Sequence, residues 1–281
     1  MTFDMGPALL FCPGDRPGRF GTALERADAV IIDLEDAVAP TAKEAARQAL
    51  MASRLDPLRT IVRVNPVGSD EFEHDLLALS ATEYTTVMLS KVTAGSQAVA
   101  LAGYQVIALC ETAAGVLAAP HIAAEPNVVA LMWGAEDLVA SLGGTTSRHP
   151  DGRFRDIARY ARASVQLAAG AQGKAAIDTV HLVIDDLDGL LAEATDAVAS
   201  GFAATACIHP AQVGVIRAAY RPTHAEVERA HAIVEASKGT HGVFVYDGRM
   251  IDSPVLRQAE ALLRREHHTE PGSTSDSSPG A

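Results

Sequence analysis

Eight short, almost wholly apolar runs, rich in Val and Ile, recur along the chain: "PALLFCPG", "AVIIDLED", "TIVRVNP", "TVMLSKV", "QVIALCET", "VVALMWGAED", "DTVHLVI" and "ATACIHP". None alternates strictly between apolar and polar, so each reads as a parallel strand covered on both faces. Between them lie stretches with helical character, such as "AKEAARQALMAS", "FEHDLLAL", "SQAVALA", "TAAGVLAAPHIAA", "RDIARYARASVQLAAGAQG" and "LDGLLAEATDAVASG". Several of these end in Gly or run into Pro, as helix stops do. Strand–helix alternation with eight strands is the pattern of an α/β (β/α)8 TIM barrel, and 281 residues suit one. A doubly wound open sheet is the other arrangement considered, but no GxGxxG follows the first strand, which weakens its dinucleotide-binding form.

The barrel is expected over residues 1–222. Residues 223–265 then exceed what closure needs. They hold a helix near "AEVERAHAIVEASKGT", a short apolar run "GVFVY", a DG turn and a final amphipathic helix, an extension expected to pack on a neighbouring subunit, with a lid over its own barrel equally allowed. The tail from 266 to 281 is Ser-, Gly- and Pro-rich with almost no apolar content and is expected to be disordered.

Composition narrows the function. Hydrophobic residues make up 48% of the chain and charged residues 21%, enough for a sizeable core. The formal charge of −12 argues against nucleic acid or an anionic membrane as partner, since either would repel the protein. A small acidic substrate stays allowed, because local arginines and a metal can reverse the sign inside a cleft. Cys12, Cys110 and Cys207 are far apart, odd in number and in apolar surroundings, so they read as core residues rather than disulfides or metal ligands. No basic n-region opens the chain, and no window approaches the length of an apolar membrane span, so a cytoplasmic protein is expected.

Active sites of such barrels form where strands end, at the C-terminal face. Polar or ionisable residues sit at almost every expected strand end: Asp15 and Arg16, then Asp33, Glu35 and Asp36, Arg63 with Asn65, Lys91, Glu111, Glu136 with Asp137, His181 in the seventh strand, and His209. Glu111 and Asp137 are 26 residues apart, about one β/α unit, which puts them on adjacent strand tops. Two carboxylates without Cys or paired His suit Mg²⁺, with Mn²⁺ possible, rather than Zn²⁺. The plain alternative is that Glu111 pairs with Arg63 or Lys91 in a structural ion pair. Arg63, inside an apolar strand, needs an anionic partner. Lys91 raises a rival chemistry, a Schiff-base aldolase, although nearby acids would keep its amine protonated. His209 reads as a turn residue before Pro210, with general acid/base work the alternative, and His181 as a packed strand histidine.

These segments also resemble a known family. "FCPGDRPGRF", "ADAVIIDLEDAVAP" with "K..AR", "VRVNP", "LSKV", "ALCETAAGV", "LMWGAEDL", "CIHPAQV" and "DGRMIDSPVLRQAEALL" follow in the order seen in citrate lyase beta-subunit-like proteins of the HpcH/HpaI aldolase/citrate lyase superfamily. That superfamily includes malyl-CoA and citramalyl-CoA lyases. The resemblance implies a homotrimer of barrels with Mg²⁺ on Glu111 and Asp137, and Arg63 on an oxo-acid substrate. It implies Asp33, Glu35 and Asp36 at the base of the site, ordering water and Arg63 with Lys91 beside them; a direct catalytic role for Glu35 or Asp36 stays open. Asp252 would reach a neighbouring subunit's site. Gly134 and Ala135 would line the substrate, and Phe11, Arg16 and Pro210 the entrance for a CoA thioester. The implied chemistry is reversible Claisen-type cleavage of a β-hydroxyacyl-CoA, of the malyl-, citramalyl-, citryl- or hydroxymethylglutaryl-CoA type, to an acyl-CoA and an oxo acid such as glyoxylate, pyruvate or oxaloacetate. A beta subunit working only on an acyl carrier within a complex is the family's other mode, and a non-catalytic scaffold subunit the reading from a different class.

Overall fold

The structure is a computed structural model that describes residues 3–239 and 242–269. Eight parallel strands close into a barrel in sequence order: β1 (Ala8–Pro13), β2 (Ala29–Asp33), β3 (Thr60–Val64), β4 (Thr86–Leu89), β5 (Gln105–Cys110), β6 (Val128–Trp133), β7 (Ala175–Asp178) and β8 (Ala204–Cys207), with β8 pairing back onto β1. The TIM-barrel expectation holds. The reason is visible in β2, whose five residues are all buried: the barrel interior takes one face and the surrounding helices the other.

Pleat alternation decides what reaches the mouth. The interior core gathers Leu9, Ile31, Ile61, Met88, Ile107, Leu109, Met132, Ile177 and Ala206. Two residues further along the same inward face, Leu9 leads to Phe11, Ile31 to Asp33, Ile61 to Arg63 and Leu109 to Glu111. An apolar column in the barrel thus ends in a functional side chain at the C-terminal face.

Helices α1 (Phe20–Arg26), α2 (Lys43–Ala52), α3 (Asp70–Ser80), α4 (Gly95–Val99), α5 (Ala113–Ala123), α6 (Ala135–Ser141), α7 (Asp156–Ala171), α8 (Leu187–Ser200) and α9 (Pro210–Tyr220) follow their strands. The chain divides into two compact units at Arg217/Ala218, within α9. The second contains α10 (His224–Ser237), which starts in a capping box between Thr223 and Glu226, the hairpin β9 (Phe244–Tyr246) and β10 (Arg249–Ile251), and α11 (Ser253–Thr269). Asp247 and Gly248 both have positive φ, the two-residue turn that a DG pair favours. Ala230, Ile233, Ile251 and Ala259 form this unit's core. Among the described residues, no helix is long and apolar enough to cross a membrane.

Two boundaries differ from expectation. The seventh strand is "AAID", and the run "DTVHLVI" lies almost entirely beyond it as a loop, so His181 is a buried loop residue. Asp178 ends the strand: its carboxylate accepts from Trp133 Nε1, Arg162 and the next backbone N–H. Leu182, Val183 and Ile184 are 49%, 58% and 40% exposed, so their hydrophobicity marks a surface rather than a strand. Helix α11 also continues to Thr269, into the stretch expected as tail, while 270–281 lie outside the described residues.

Candidate active site

Asp33 and Arg63 are register partners on β2 and β3. The guanidinium grips the carboxylate at two points, Nε to Oδ1 at 2.7 Å and Nη2 to Oδ2 at 2.5 Å. Backbone N–H groups of Glu35 and Ala37 donate to the same two oxygens. Burial works against the Arg63 charge, but Asp33 foremost, then Glu35 and Glu111, holds its pKa above the ordinary value. The guanidinium also lies 4.9 Å from the centroid of the Phe11 ring.

Beyond β2 the chain leaves the strand, and Glu35 and Asp36 both turn to Lys91. Its ammonium donates to Glu35 Oε1 and, at 2.8 Å, to Asp36 Oδ2, and stands 3.4 Å from Asp137. Burial would lower the pKa of Lys91, yet these carboxylates raise it, so the amine is held charged and is a poor nucleophile. Burial pushes the Glu35 carboxyl up; its Oε2 lies 3.2 Å from Arg63 Nη1 but has no hydrogen bond. Lys91 itself adopts φ +51, a left-handed backbone that aims its N–H at Glu111 Oε1, 3.1 Å away.

The Leu34–Glu35 turn is clamped from outside the cleft. Lys43 Nζ donates to the carbonyls of Leu34 and Glu35 and to Asn65 Oδ1, and Asn65 donates to the fully buried Asp75, which Arg47 pairs. The "K..AR" element is Lys43, Ala46 and Arg47, so this clamp had a sequence signal. Asp75 had none, because it becomes polar core only when α3 packs against α2.

Glu111 directly follows β5 and is 2% exposed, and Asp137 sits in the first turn of α6 after β6. Burial first, and the charge of Asp137 second, push the Glu111 carboxyl up to about 8. The ion-pair alternative for Glu111 fails: Lys91 meets it through a backbone N–H, and no cation lies within 4.0 Å of it among the described residues. Gly134 supplies the space, since a Cβ there would lie 2.8 Å from Glu111 Oε2.

These groups open onto one cleft of about 210 Å³. Asp33, Arg63, Glu111, Gly134, Ala135 and Asp137 line it, together with Phe11. Arg16 does not; it is exposed and 3.5 Å from Asp15. Pro210 begins α9, and Ile208 takes the cleft position instead. Glu35, Asp36 and Lys91 are not among the lining residues and reach the cleft through Arg63 and Asp137. Asp252 belongs to the second unit, where its Oδ1 accepts from Val255 N–H at the start of α11. His181 is held by Glu193 at 2.9 Å, and His209 is an exposed turn residue whose Nδ1 accepts from Ala211 N–H; neither lines the cleft. Thr179, Val180 and Leu182 were missed because the seventh strand was placed too far along the chain, and Ile208 because only His209 and Pro210 were singled out in the "CIHP" segment.

The donor set fits a hard divalent cation. Glu111 and Asp137 offer carboxylate oxygens on one cleft, Glu111 buried and without an ion-pair partner among the described residues, in a space kept clear by Gly134. Among the described residues no cluster of three or more His, Cys, Asp and Glu could enclose a metal, which leaves positions for water and substrate oxygens as Mg²⁺ prefers.

Comparison with known proteins agrees with the barrel fold and places the chain in a family. Residues 8–210 match the family model for HpcH/HpaI aldolase/citrate lyase, and residues 153–268 match one for a C–C bond lyase of the TIM-barrel fold. A citrate lyase subunit beta-like protein of Mycobacterium tuberculosis is 52% identical over 260 residues, 92% of this chain and 95% of that protein. A crystal structure of CitE from the same organism, in complex with magnesium, acetoacetate and coenzyme A, superposes with a TM-score of 0.89 at 52% identity, over 93% of this chain and 98% of that one. A citrate lyase beta subunit from M. tuberculosis complexed with oxaloacetate and magnesium gives 0.77 at 54% identity, over 78% and 98% of the respective chains.

Proposed function

The chain belongs to the HpcH/HpaI aldolase/citrate lyase family, and from that premise we propose that it is a Mg²⁺-dependent carbon–carbon lyase that cleaves a β-hydroxyacyl-CoA reversibly to an acyl-CoA and a small oxo acid. The observation that carries this is the meeting of Glu111, Asp137 and Arg63 on one cleft. Glu111 and Asp137 would hold the ion, which when bound supplies Lewis-acid stabilisation of the oxo acid's oxygens.

The chain's own residues do the rest. Arg63, fixed by Asp33, presents guanidinium N–H groups where negative charge develops on the oxo-acid part. Because that fork is already oriented, no reorganisation is needed as charge moves. Glu35 and Asp36 act through Lys91, fixing the ammonium beside Asp137. Cleavage removes the proton from the C3 hydroxyl, turns that C–O into a carbonyl, and passes the C2–C3 bonding pair into the thioester enolate. C2 then takes a proton to give the acyl-CoA. We assign the proton-transfer role to Asp252, supplied by a neighbouring copy in a homotrimer. Phe11 and Ile208 would flank the thioester.

The charged state of Lys91 counts against the Schiff-base reading. Purified protein with Mg²⁺ should release an acyl-CoA and an oxo acid from at least one of malyl-, citramalyl-, citryl- and 3-hydroxy-3-methylglutaryl-CoA, and EDTA should abolish this. No turnover of any of them without added carrier subunits, or turnover that survives EDTA, would defeat the proposal.

A further inference from the structure

Lys91 touches both carboxylates assigned to the metal. Its backbone N–H, aimed by a left-handed φ of +51, donates to Glu111 Oε1 at 3.1 Å, and its ammonium stands 3.4 Å from Asp137 Oδ1. The same ammonium donates to Glu35 Oε1 and, at 2.8 Å, to Asp36 Oδ2. Among the described residues it is the one cationic group within 4.0 Å of Asp137. Resting on the metal assignment above, we infer that Lys91 stands in for the divalent cation before it binds and competes with it for Asp137, so that this lysine sets the Mg²⁺ affinity of the site.

One residue thus gathers Glu35, Asp36, Glu111 and Asp137, carboxylates that would repel one another without a cation among them. Its two engagements with the metal ligands differ in kind. Glu111 Oε1 takes a neutral N–H, which does not oppose a cation, and Oε2 beside Gly134 is left for the ion. Asp137 meets a full positive charge, which does oppose a divalent ion at the same carboxylate. Removing that charge would also leave Glu35 and Asp36 uncompensated, so both consequences draw a cation in more strongly. The ammonium is 29% exposed in its side chain and is largely cancelled by Glu35 and Asp36, so only a remainder of the raw repulsion acts. A lysine that merely held the turn together predicts the opposite sign: its loss would loosen Glu111 and Asp137 and weaken the metal.

Calorimetric titration of the full chain with Mg²⁺, in the absence of any substrate, reads that sign. Lys91→Met should bind Mg²⁺ about tenfold more tightly than the unsubstituted protein, a gain of about 1.4 kcal/mol, while Lys91→Arg, which keeps the charge, should stay within about threefold of it. Thermal melts establish that each variant is folded. Asp36→Asn, at a side chain 60% exposed, gives a second reading that leaves the buried Glu35 paired with Lys91. With less to cancel it, the ammonium should there weaken Mg²⁺ binding by about threefold. Mg²⁺ binding that Lys91→Met weakens or leaves unchanged, or that Lys91→Arg tightens equally, overturns the inference. Should Lys91→Met not fold, an Asp36→Asn affinity equal to or above that of the unsubstituted protein overturns it. No CoA ester enters the measurement, so its failure is distinct from failure of the turnover screen that tests the lyase reading; absence of Mg²⁺ binding from every one of these proteins would defeat both.

Discussion

A side-chain carbon on Gly134 would lie 2.8 Å from Oε2 and 2.9 Å from Cβ of Glu111, so position 134 is glycine because Glu111 occupies the space. Glu111 cannot yield easily, since it is buried and its Oε1 accepts from the Lys91 backbone. Gly134→Ala should cost about 1–3 kcal/mol through overpacking and weaken Mg²⁺ binding by about tenfold or more. Denaturant unfolding and a Mg²⁺ titration check the two effects; unchanged Mg²⁺ affinity would mean that Glu111 is not a ligand.

The Glu111 carboxyl, pushed up to about 8, ties the metal to pH. Between its ordinary 4.5 and 8, the folded metal-free protein holds a proton that the unfolded chain has released. Stability of the metal-free protein should therefore fall as pH rises through that window, with the loss complete above 8. Mg²⁺ binding near pH 6 should expel close to one proton, and progressively less above pH 8. Calorimetry in two buffers of different ionisation enthalpy measures the released proton. Glu111→Gln should remove both the release and the stability slope.

The pairing of Arg63 with Asp33 is buried, so its two members cannot be removed with equal consequence to their conservative replacement. Arg63→Ala strands the Asp33 carboxylate and should destabilise by about 3–5 kcal/mol. Arg63→Lys keeps a charge but loses the fork, so the fold should survive at a smaller cost while turnover falls by about 100-fold or more. Thermal melts beside kinetics separate the two. An Arg63→Lys enzyme with full activity would remove Arg63 from the site.

Lys91 tests the rival chemistry. Borohydride with substrate should leave the Lys91 peptide unmodified at neutral pH, because the amine is held as an ammonium by Glu35, Asp36 and Asp137. Lys91→Met should destabilise by about 1–3 kcal/mol, discounted because Asp36 is exposed, by leaving the buried Glu35 with no hydrogen bond on either oxygen and only the Arg63 charge beside it. A reduced adduct on Lys91, read by peptide mass, would restore the aldolase reading.

The sequence by itself determined the barrel and the polar half of its mouth. Runs such as "AVIID" can satisfy both faces only in a covered parallel sheet, and the period of two that buries Ile31, Ile61 and Leu109 carries Asp33, Arg63 and Glu111 to the same interior. Local pattern was enough there, because each residue's direction follows from its own strand. Where the seventh strand stops was not local: "DTVHLVI" is as apolar as a strand, and only Trp133 and Arg162, reaching Asp178 from β6 and α7, end the pairing before it. That contact turns Val180 and Leu182 from strand interior into cleft wall. The tertiary structure likewise decided which acids Lys91 would bind, and it kept the cations among the described residues more than 4.0 Å from Glu111, since those distances depend on how four strand tops converge rather than on any spacing along the chain.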